Sequence, residues 1–421
     1  MNTDATLDRI YKLLEEEAQG LYRSLGLLPV SDVDPDMAAA SCQMGWGHAE
    51  WGLEILAEQQ LLEPHQEHGS RIRYRLVPAV RDHARSLAVQ HDPEQGRVLV
   101  LRRLCEWILA NATHVQLRLT PAQATLRRSA MTMAPAGKAP FDDDAEALGW
   151  LASYGSSLLD VLGAAEAAGW DDIVWQLVDS FWPLFQRRHP YKLWIAAHEI
   201  GLAAARRARN DAAVRQMLAS GAIGLSSAGR LDEAITWFGQ ALDAALRHED
   251  ARDAGQALLG LGSCHYSAGR PDQALPFLTQ AISRWNECGY PRGVALTTIV
   301  LGEIALDHPD RALKLFDRAR TMLLDAGDPY NASHALLLQG HTRILTGDRD
   351  AGVRNLEDAL AALTDVGSTR WRAYGLELLG RAHRDRGEVE AARACFQLAM
   401  DLYADISPAR AKRTQALADS L

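Results

Sequence analysis

Four side chains in the middle of the sequence, Cys264, Tyr266, Glu303 and His341, carry groups suited to nucleophilic or acid–base chemistry. Their order and spacing match no nucleophile–base–orienter signature, so no catalytic residue is assigned. They would still meet if the chain stacks units about 40 residues long, because equivalent positions in adjacent units are neighbours. Nearer the N-terminus, Cys42, His48, His65 and His68 have donors that suit zinc or iron. His65 and His68 fall in EPHQEHGSR, which reads as a loop, and no second pair has ligand spacing; no metal is expected. His83, His114, His189 and His198 stand alone on helical segments and read as surface or hydrogen-bonded core residues.

Two further groups of residues invite a binding role. Arg71, Arg73 and Arg75 could touch a phosphate backbone, but residues 1–93 hold 8 Lys/Arg against 15 Asp/Glu, and Glu50, Glu54 and Glu58 share one helix. Phosphates would be repelled, so direct nucleic-acid binding is not expected. Trp150, Trp170, Trp175, Trp182 and Trp194 could line an apolar pocket. The helical spacing of Trp175, Leu177, Val178, Phe181, Trp182 and Phe185 is equally that of a buried junction, and core is the reading adopted.

The elements that must position these groups show themselves through self-similarity, which has to be read before any single motif. A helix with a central glycine recurs around Gly221, Gly262, Gly302, Gly340 and Gly380, at intervals of 41, 40, 38 and 40 residues. Each is followed by a turn and a second helix, at 228–242, 268–282, 308–322, 346–360 and 386–400, with Ala241, Ala281, Ala319, Ala359 and Ala399 at equivalent places. Small residues at fixed positions let antiparallel helices approach closely, and Gly-Arg or Gly-Asp turns close the first helix of each pair. The expected fold is all-α, a right-handed tetratricopeptide-repeat (TPR) solenoid of about five pairs. Its period exceeds the usual 34 or so, and the extra residues are expected after each second helix, in segments such as RHEDARDAG and LDAGDPYNA. The segments 169–185 and 194–208 read as one more, degenerate pair that caps the array.

In such a solenoid the first-helix residues one and four places after the glycine, and three and six before it, turn toward the groove. That registry names Arg215, Gln256, Ser263, Tyr266, Glu303, His334, His341, Glu377, Arg381 and Arg384. Their mixed aromatic, cationic and anionic character suits another protein or an extended peptide.

Upstream, 21–40 reads as helix, turn and helix, and 48–62 as a third helix. Arg71, Arg73 and Arg75 then alternate with Ile72, Tyr74 and Leu76, the period of a half-buried strand. Three helices and a strand in that order suggest a small winged-helix-like domain over 1–93. A helical connector follows over 94–193, with a long helix near 97–117 and a loop at 120–141, and the solenoid occupies 194–421. Five scattered cysteines without Cys-x-x-Cys fit a reducing compartment. No secretory leader or stretch of about 18 apolar residues occurs. A cytoplasmic protein that does not engage a membrane is expected, and the net charge of −10 opposes phosphate-backbone binding by the chain as a whole.

The chain resembles the C-terminal half of actinobacterial antibiotic-regulatory proteins of the NB-ARC/TPR type. LYRSLGLLP (21–29), RYRLVPAVRDHAR (73–85), LRRLCEWILANA (101–112), DDAEALGWL (143–151), FWPLFQRRHPYKLWIAAHEIGLAAARRA (181–208) and the AGRLDEA-like turns carry the resemblance. It implies the order winged helix, connector, TPR array, and a chain without the family's nucleotide-binding and activator domains. No Gly-x-x-x-x-Gly-Lys-Ser/Thr occurs, and none of Lys12, Lys138, Lys192, Lys314 or Lys412 sits in a glycine-rich strand-to-helix loop, so no cofactor and no ATP hydrolysis are expected. Where the family has a Leu-His-Asp or Met-His-Asp nucleotide sensor, this chain has Leu76-Val77-Pro78. Two functions remain open. One is a regulatory protein- or peptide-binding protein of specialised metabolism. The other is a biosynthetic enzyme or substrate chaperone that holds a peptide or small molecule in the groove. Self-association is left open as well.

Overall fold

Ala- and Leu-rich segments punctuated by glycine and proline fold as predicted into helix after helix. A computed structural model describes residues 3–66, 72–128, 141–404 and 406–421. Two compact units are present: residues up to 114 together with 127–128 and 154–177, and residues 115–126, 141–153 and 178–421.

The first unit opens with α1 (Thr3–Leu13) and α2 (Glu16–Leu27), then β1 (Asp32–Val33), α3 (Pro35–Cys42), α4 (Trp46–Glu58), β2 (Glu63–His65), β3 (Arg73–Arg75) and α5 (Pro78–His91). The strands form an antiparallel sheet of order β1-β3-β2, with Asp32 opposite Arg75 and His65 opposite Arg73. His65 therefore sits on a strand, not in the expected loop, because pairing with β3 satisfies its backbone. His68 and Arg71 lie outside the described residues. The alternation holds for Tyr74 and Leu76, which are buried, but Ile72 is 50% exposed because the strand starts only at Arg73. Val77 and Pro78, in place of the sensor residues, cap and open α5; proline suits that position because it has no N–H to leave unpaired. The α5 backbone lies against α2, where Gly26 leaves no room for a side chain: a Cβ there would be 2.6 Å from that of Ala84. Tyr22 in α2 donates its hydroxyl to the Val80 carbonyl at 3.2 Å.

The long α6 (Glu94–Leu119) and α7 (Asp144–Gly155) each contribute to both units, and α8 (Leu158–Ala167) completes the set before the array. Residues 169–185, expected as one helix, are two: α9 (Asp171–Ser180) and α10 (Trp182–Arg188). The break falls at Phe181, where Pro183 opens the new helix and cannot continue the old one. α11 (Tyr191–Arg207) follows. Then come five pairs: α12 (Asp211–Ser227) with α13 (Leu231–Arg247), α14 (Ala251–Ser267) with α15 (Pro271–Glu287), α16 (Pro291–Ile304) with α17 (Pro309–Asp325), α18 (Pro329–Leu345) with α19 (Arg349–Asp365), and α20 (Thr369–Asp385) with α21 (Val389–Tyr403). α22 (Pro408–Asp419) closes the chain.

This is the TPR solenoid read from the sequence. Its central glycines face the second helix of their own pair, so that added Cβ atoms at Gly302 and Gly340 would lie 2.5 Å from the Phe316 ring and 2.9 Å from the Gly352 carbonyl. The five alanines are all buried beside them. One expectation is corrected. The extra residues of the long period lengthen the helices, most of which run 17 residues, and not the connections. Within RHEDARDAG, Arg247 already ends α13 and Ala251 starts α14. Glu249 turns the chain at φ 53, and Asp250 caps α14 by accepting from the Asp253 N–H; Gly327 and Asp328 do the same before α18. Among the described residues, no helix is long and apolar enough to cross a membrane.

Candidate functional site

The first helices of the five repeats and the short α10 turn inner side chains into one cavity of about 380 Å³. Trp182 comes from α10, Gln216 and Ser220 from α12, and Gln256, Ser263 and Tyr266 from α14. Leu296, Ile299 and Glu303 come from α16, Asn331 and His334 from α18, and Arg370 and Trp371 from α20. Gln123 and Ala124, beyond the end of α6, complete the wall. Their strand of backbone is held there by Tyr290, which donates its hydroxyl to the Ala122 carbonyl at 3.3 Å, and by Arg187, which donates to the Leu119 carbonyl at 2.5 Å.

Burial sets the protonation of this cavity. It pushes the half-buried Glu303 carboxyl up to about 7, with Arg370 pulling the other way. Tyr266, whose hydroxyl donates to the Glu303 main-chain carbonyl at 3.3 Å, is pushed up to about 12 by burial and by the Glu303 charge, so it stays a phenol. His334 lies face to face with Trp371, ring centroids 3.6 Å apart, and burial followed by the Arg370 charge holds it down at about 3. It is a neutral imidazole. Its Nε2 is buried without a hydrogen-bond partner among the described residues, and so is Nε1 of Trp182. Arg252 pairs with Asp253 at 3.0 Å and Arg292 with Asp328 at 2.7 Å. Arg370 donates to the Ser227 hydroxyl at 3.2 Å and lies over the Trp371 ring, and among the described residues it forms no ion pair.

Of the ten groove positions read from the sequence, Gln256, Ser263, Tyr266, Glu303 and His334 line this cavity together. The others do not. Arg215 is buried between two carboxylates, Asp253 at 2.8 Å and Asp250 at 3.0 Å, and ties α12 to the start of α14. In the last repeat Glu377 accepts from Arg381 at 2.5 Å and from the Tyr403 hydroxyl at 3.2 Å. Arg410 of α22 lies over Tyr374, 5.3 Å from the ring centroid. This local cluster uses up Glu377 and Arg381. His341 stands edge-on to Tyr374, and Arg384 pairs with Asp385. Trp182 and Trp194 are both buried core, as expected, and cavity wall.

The registry missed Arg252, Arg292, Tyr330 and Arg370, which also line the cavity. Each stands ten places before its central glycine, seven residues or just under two helical turns beyond the position at minus three. Carrying the same face one turn further toward the helix start would have found all four.

The arrangement offers binding groups and little nucleophilic chemistry. Cys264 is fully buried, and burial raises its thiol above the ordinary range. Native-state titration with an aromatic disulfide reagent should therefore label the exposed Cys288 first, while Cys105 and Cys264 react only after denaturant is added. Fast labelling of Cys264 in native buffer would show that α14 opens and that the cavity is not a stable feature.

A tetratricopeptide-repeat family model matches residues 217–287. Over its full length the chain is similar to the regulatory protein AfsR of Streptomyces griseus, 27% identical over 454 aligned residues that cover 100% of this chain and 46% of that protein. The chain thus spans about half the length of the curated relative it matches. Among solved structures, a signal-transduction ATPase with numerous domains and a tetratricopeptide-repeat sensor, from Pyrococcus horikoshii, superposes with a TM-score of 0.57. The identity is 14%, over 99% of this chain and 55% of that one, so the likeness is one of fold. The resemblance to NB-ARC/TPR-type regulatory proteins holds, and the chain is a TPR protein related to AfsR.

Proposed function

We propose that the chain is a regulatory TPR protein that binds another protein or a peptide along the inner face of its array. The observation that carries this reading is the convergence of Gln256, Tyr266, Glu303, His334 and Arg370, from four successive repeats, on one cavity. Each helix pair offers only a few inward side chains, so a ligand of useful affinity has to touch several. Similarity to AfsR supports the regulatory role and, with the antibiotic-regulatory resemblance, a place in specialised metabolism.

Residues 1–93 serve as a winged-helix packing domain, 94–193 as a connector that lends Gln123, Ala124 and Trp182 to the cavity wall, and 194–421 as the main binding domain. The helix–strand–helix–helix–strand–strand order of α2 to β3 supports the first of these. The surplus of carboxylates there argues against a nucleic-acid partner. Binding proceeds in the cytoplasm without ATP hydrolysis by this chain, whose residues contain no phosphate loop.

Replacing Tyr266, Glu303 and His334 together by Ala tests the reading. A photo-crosslinking residue at Gln256 identifies the partner from the native cell, and titration then compares parent and triple variant. The variant should stay folded by circular dichroism and lose a few kcal/mol of binding, about 1 per contact. Equal affinity would remove the inner face as the binding surface.

A further inference from the structure

Arg370 stands out against the pairing of every other cation in the cavity wall. The Arg252 and Arg292 charges are met by Asp253 and Asp328, whereas around Arg370 stand Ser227, the Tyr191 hydroxyl, the Trp371 ring, neutral His189 and His334, and Glu303, a carboxyl that burial pushes up to about 7 and that forms no ion pair with it. A half-buried cation that forms no ion pair among the described residues, and whose neighbouring carboxyl is held partly protonated near neutrality, is costly unless an anion arrives. Among the described residues four buried polar atoms of the same wall also lack partners: Nε1 of Trp182, which can only donate, Nε2 of His334, Nδ1 of His189 and Oε1 of Gln123. The same cavity also has apolar members in its wall, Phe238, Leu259, Leu296, Ile299 and Val300. A volume of about 380 Å³ holds a small organic molecule or the last residues of a chain.

We infer that this cavity takes the carboxylate end of an apolar molecule, with Arg370 pairing the anion, Trp182 and His334 supplying hydrogen bonds, and the apolar wall covering the body. The carboxylate belongs either to a free small acid or to the C-terminus of a peptide. This deepens the proposed peptide-binding reading and rests on it for the second source.

A second consequence follows from Glu303. The titratable and charged groups around it are Tyr266 from α14, which Asp307 beyond α16 also faces, His334 from α18, which lines the same cavity, and Arg370 and Tyr374 from α20, of which Arg370 alone is cationic. A carboxylate seated on Arg370 adds a like charge and diverts the cation, so Glu303 takes up a proton on binding. Affinity is therefore full below about pH 7 and falls as pH rises through the Glu303 value.

The experiment uses the full chain and calorimetric titration with 4-phenylbutyrate, octanoate and an apolar tetrapeptide with a free C-terminus, each beside its primary amide. Binding of an acid in the micromolar to low millimolar range, with its amide roughly tenfold or more weaker, is the expected result. Arg370→Gln should abolish the difference and Arg370→Lys restore part of it, while Glu303→Gln binds the acid with no pH dependence across neutrality. Binding of the free acids but not the peptide supports the cavity and counts against a peptide ligand. Binding of the peptide alone assigns the carboxylate to a C-terminus. If peptide and amide bind equally, or Arg370→Gln changes nothing, the carboxylate site is wrong while the peptide groove stands. If no acid binds at millimolar concentration, the inference is overturned outright.

Discussion

Gly302→Leu should cost the array about 3 kcal/mol or more, read as a drop in the urea midpoint of the far-UV circular dichroism transition. The reason is local and steric. A Cβ at this position would lie 2.5 Å from Phe316 Cε1 and 2.8 Å from its Cδ1, far inside contact distance, and both residues are fully enclosed between α16 and α17. The leucine can be housed only by wedging these helices apart, which strips contacts from the cluster of Ile299, Phe316, Ala319, Leu323 and Leu338. The change should be coupled to its neighbour. In Gly302→Leu combined with Phe316→Ala, the vacated ring space takes the new side chain, and the double variant should be less destabilised than the two single losses sum to. A Gly302→Leu protein as stable as the parent would mean that the helix pair is looser than the structure shows.

The second large effect is electrostatic. Arg292 is 8% exposed and donates its Nε to Asp328, itself 6% exposed, at 2.7 Å. The same carboxylate caps α18 by accepting from the Asn331 backbone at 3.0 Å and from its side-chain amide at 2.6 Å. Arg292→Ala leaves that carboxylate buried without its cation, which should destabilise the chain by about 3 to 5 kcal/mol. Removing both members, as Arg292→Met with Asp328→Asn, should recover much of the loss, because no unpaired charge is then buried and asparagine can still cap. For comparison, the exposed pair Arg343–Asp348 at 3.1 Å should be worth at most about 1 kcal/mol, lost to solvent screening and side-chain entropy. Equal costs for Arg292→Ala and Arg343→Ala in thermal unfolding would sink the argument that burial makes the difference.

The N-terminal unit shows how far local rules carry. Alternation placed Tyr74 and Leu76 inside, yet the same pattern put Ile72 inward, where the structure leaves it half exposed. Side-chain period tells which residues share a face but not where pairing begins, and pairing of β3 begins at Arg73. The loop reading of His65 failed for a related reason: Glu63–His65 becomes a strand only because β3, several residues later, offers it a partner. The long period misled in the opposite direction. Extra residues were assigned to connections because Asp, Gly and Pro cluster there, but an αL residue followed by a capping Asp needs very little chain to reverse it.

What the sequence determined by itself is the repeat: its period, its small residues and its turns, because each of these acts within one helix pair and is set by residues close in the chain. It also placed Gln256, Ser263, Tyr266, Glu303 and His334 on the inner helix faces, since helical periodicity alone decides that. Only the tertiary structure decided that these five share a cavity while Arg215, Glu377 and Arg381 are consumed by ion pairs and hydrogen bonds. It also brought in Gln123 and Trp182 as wall, and left Arg370 outside any ion pair among the described residues. The physical reason is that several of these partners come from another helix: Arg215 meets Asp250 and Asp253 35 and 38 residues on, and Tyr403 reaches Glu377 from 26 residues on. Only the Glu377–Arg381 pair, four residues apart in one helix, was open to sequence spacing; which cations are left facing the cavity is a property of the stacked array.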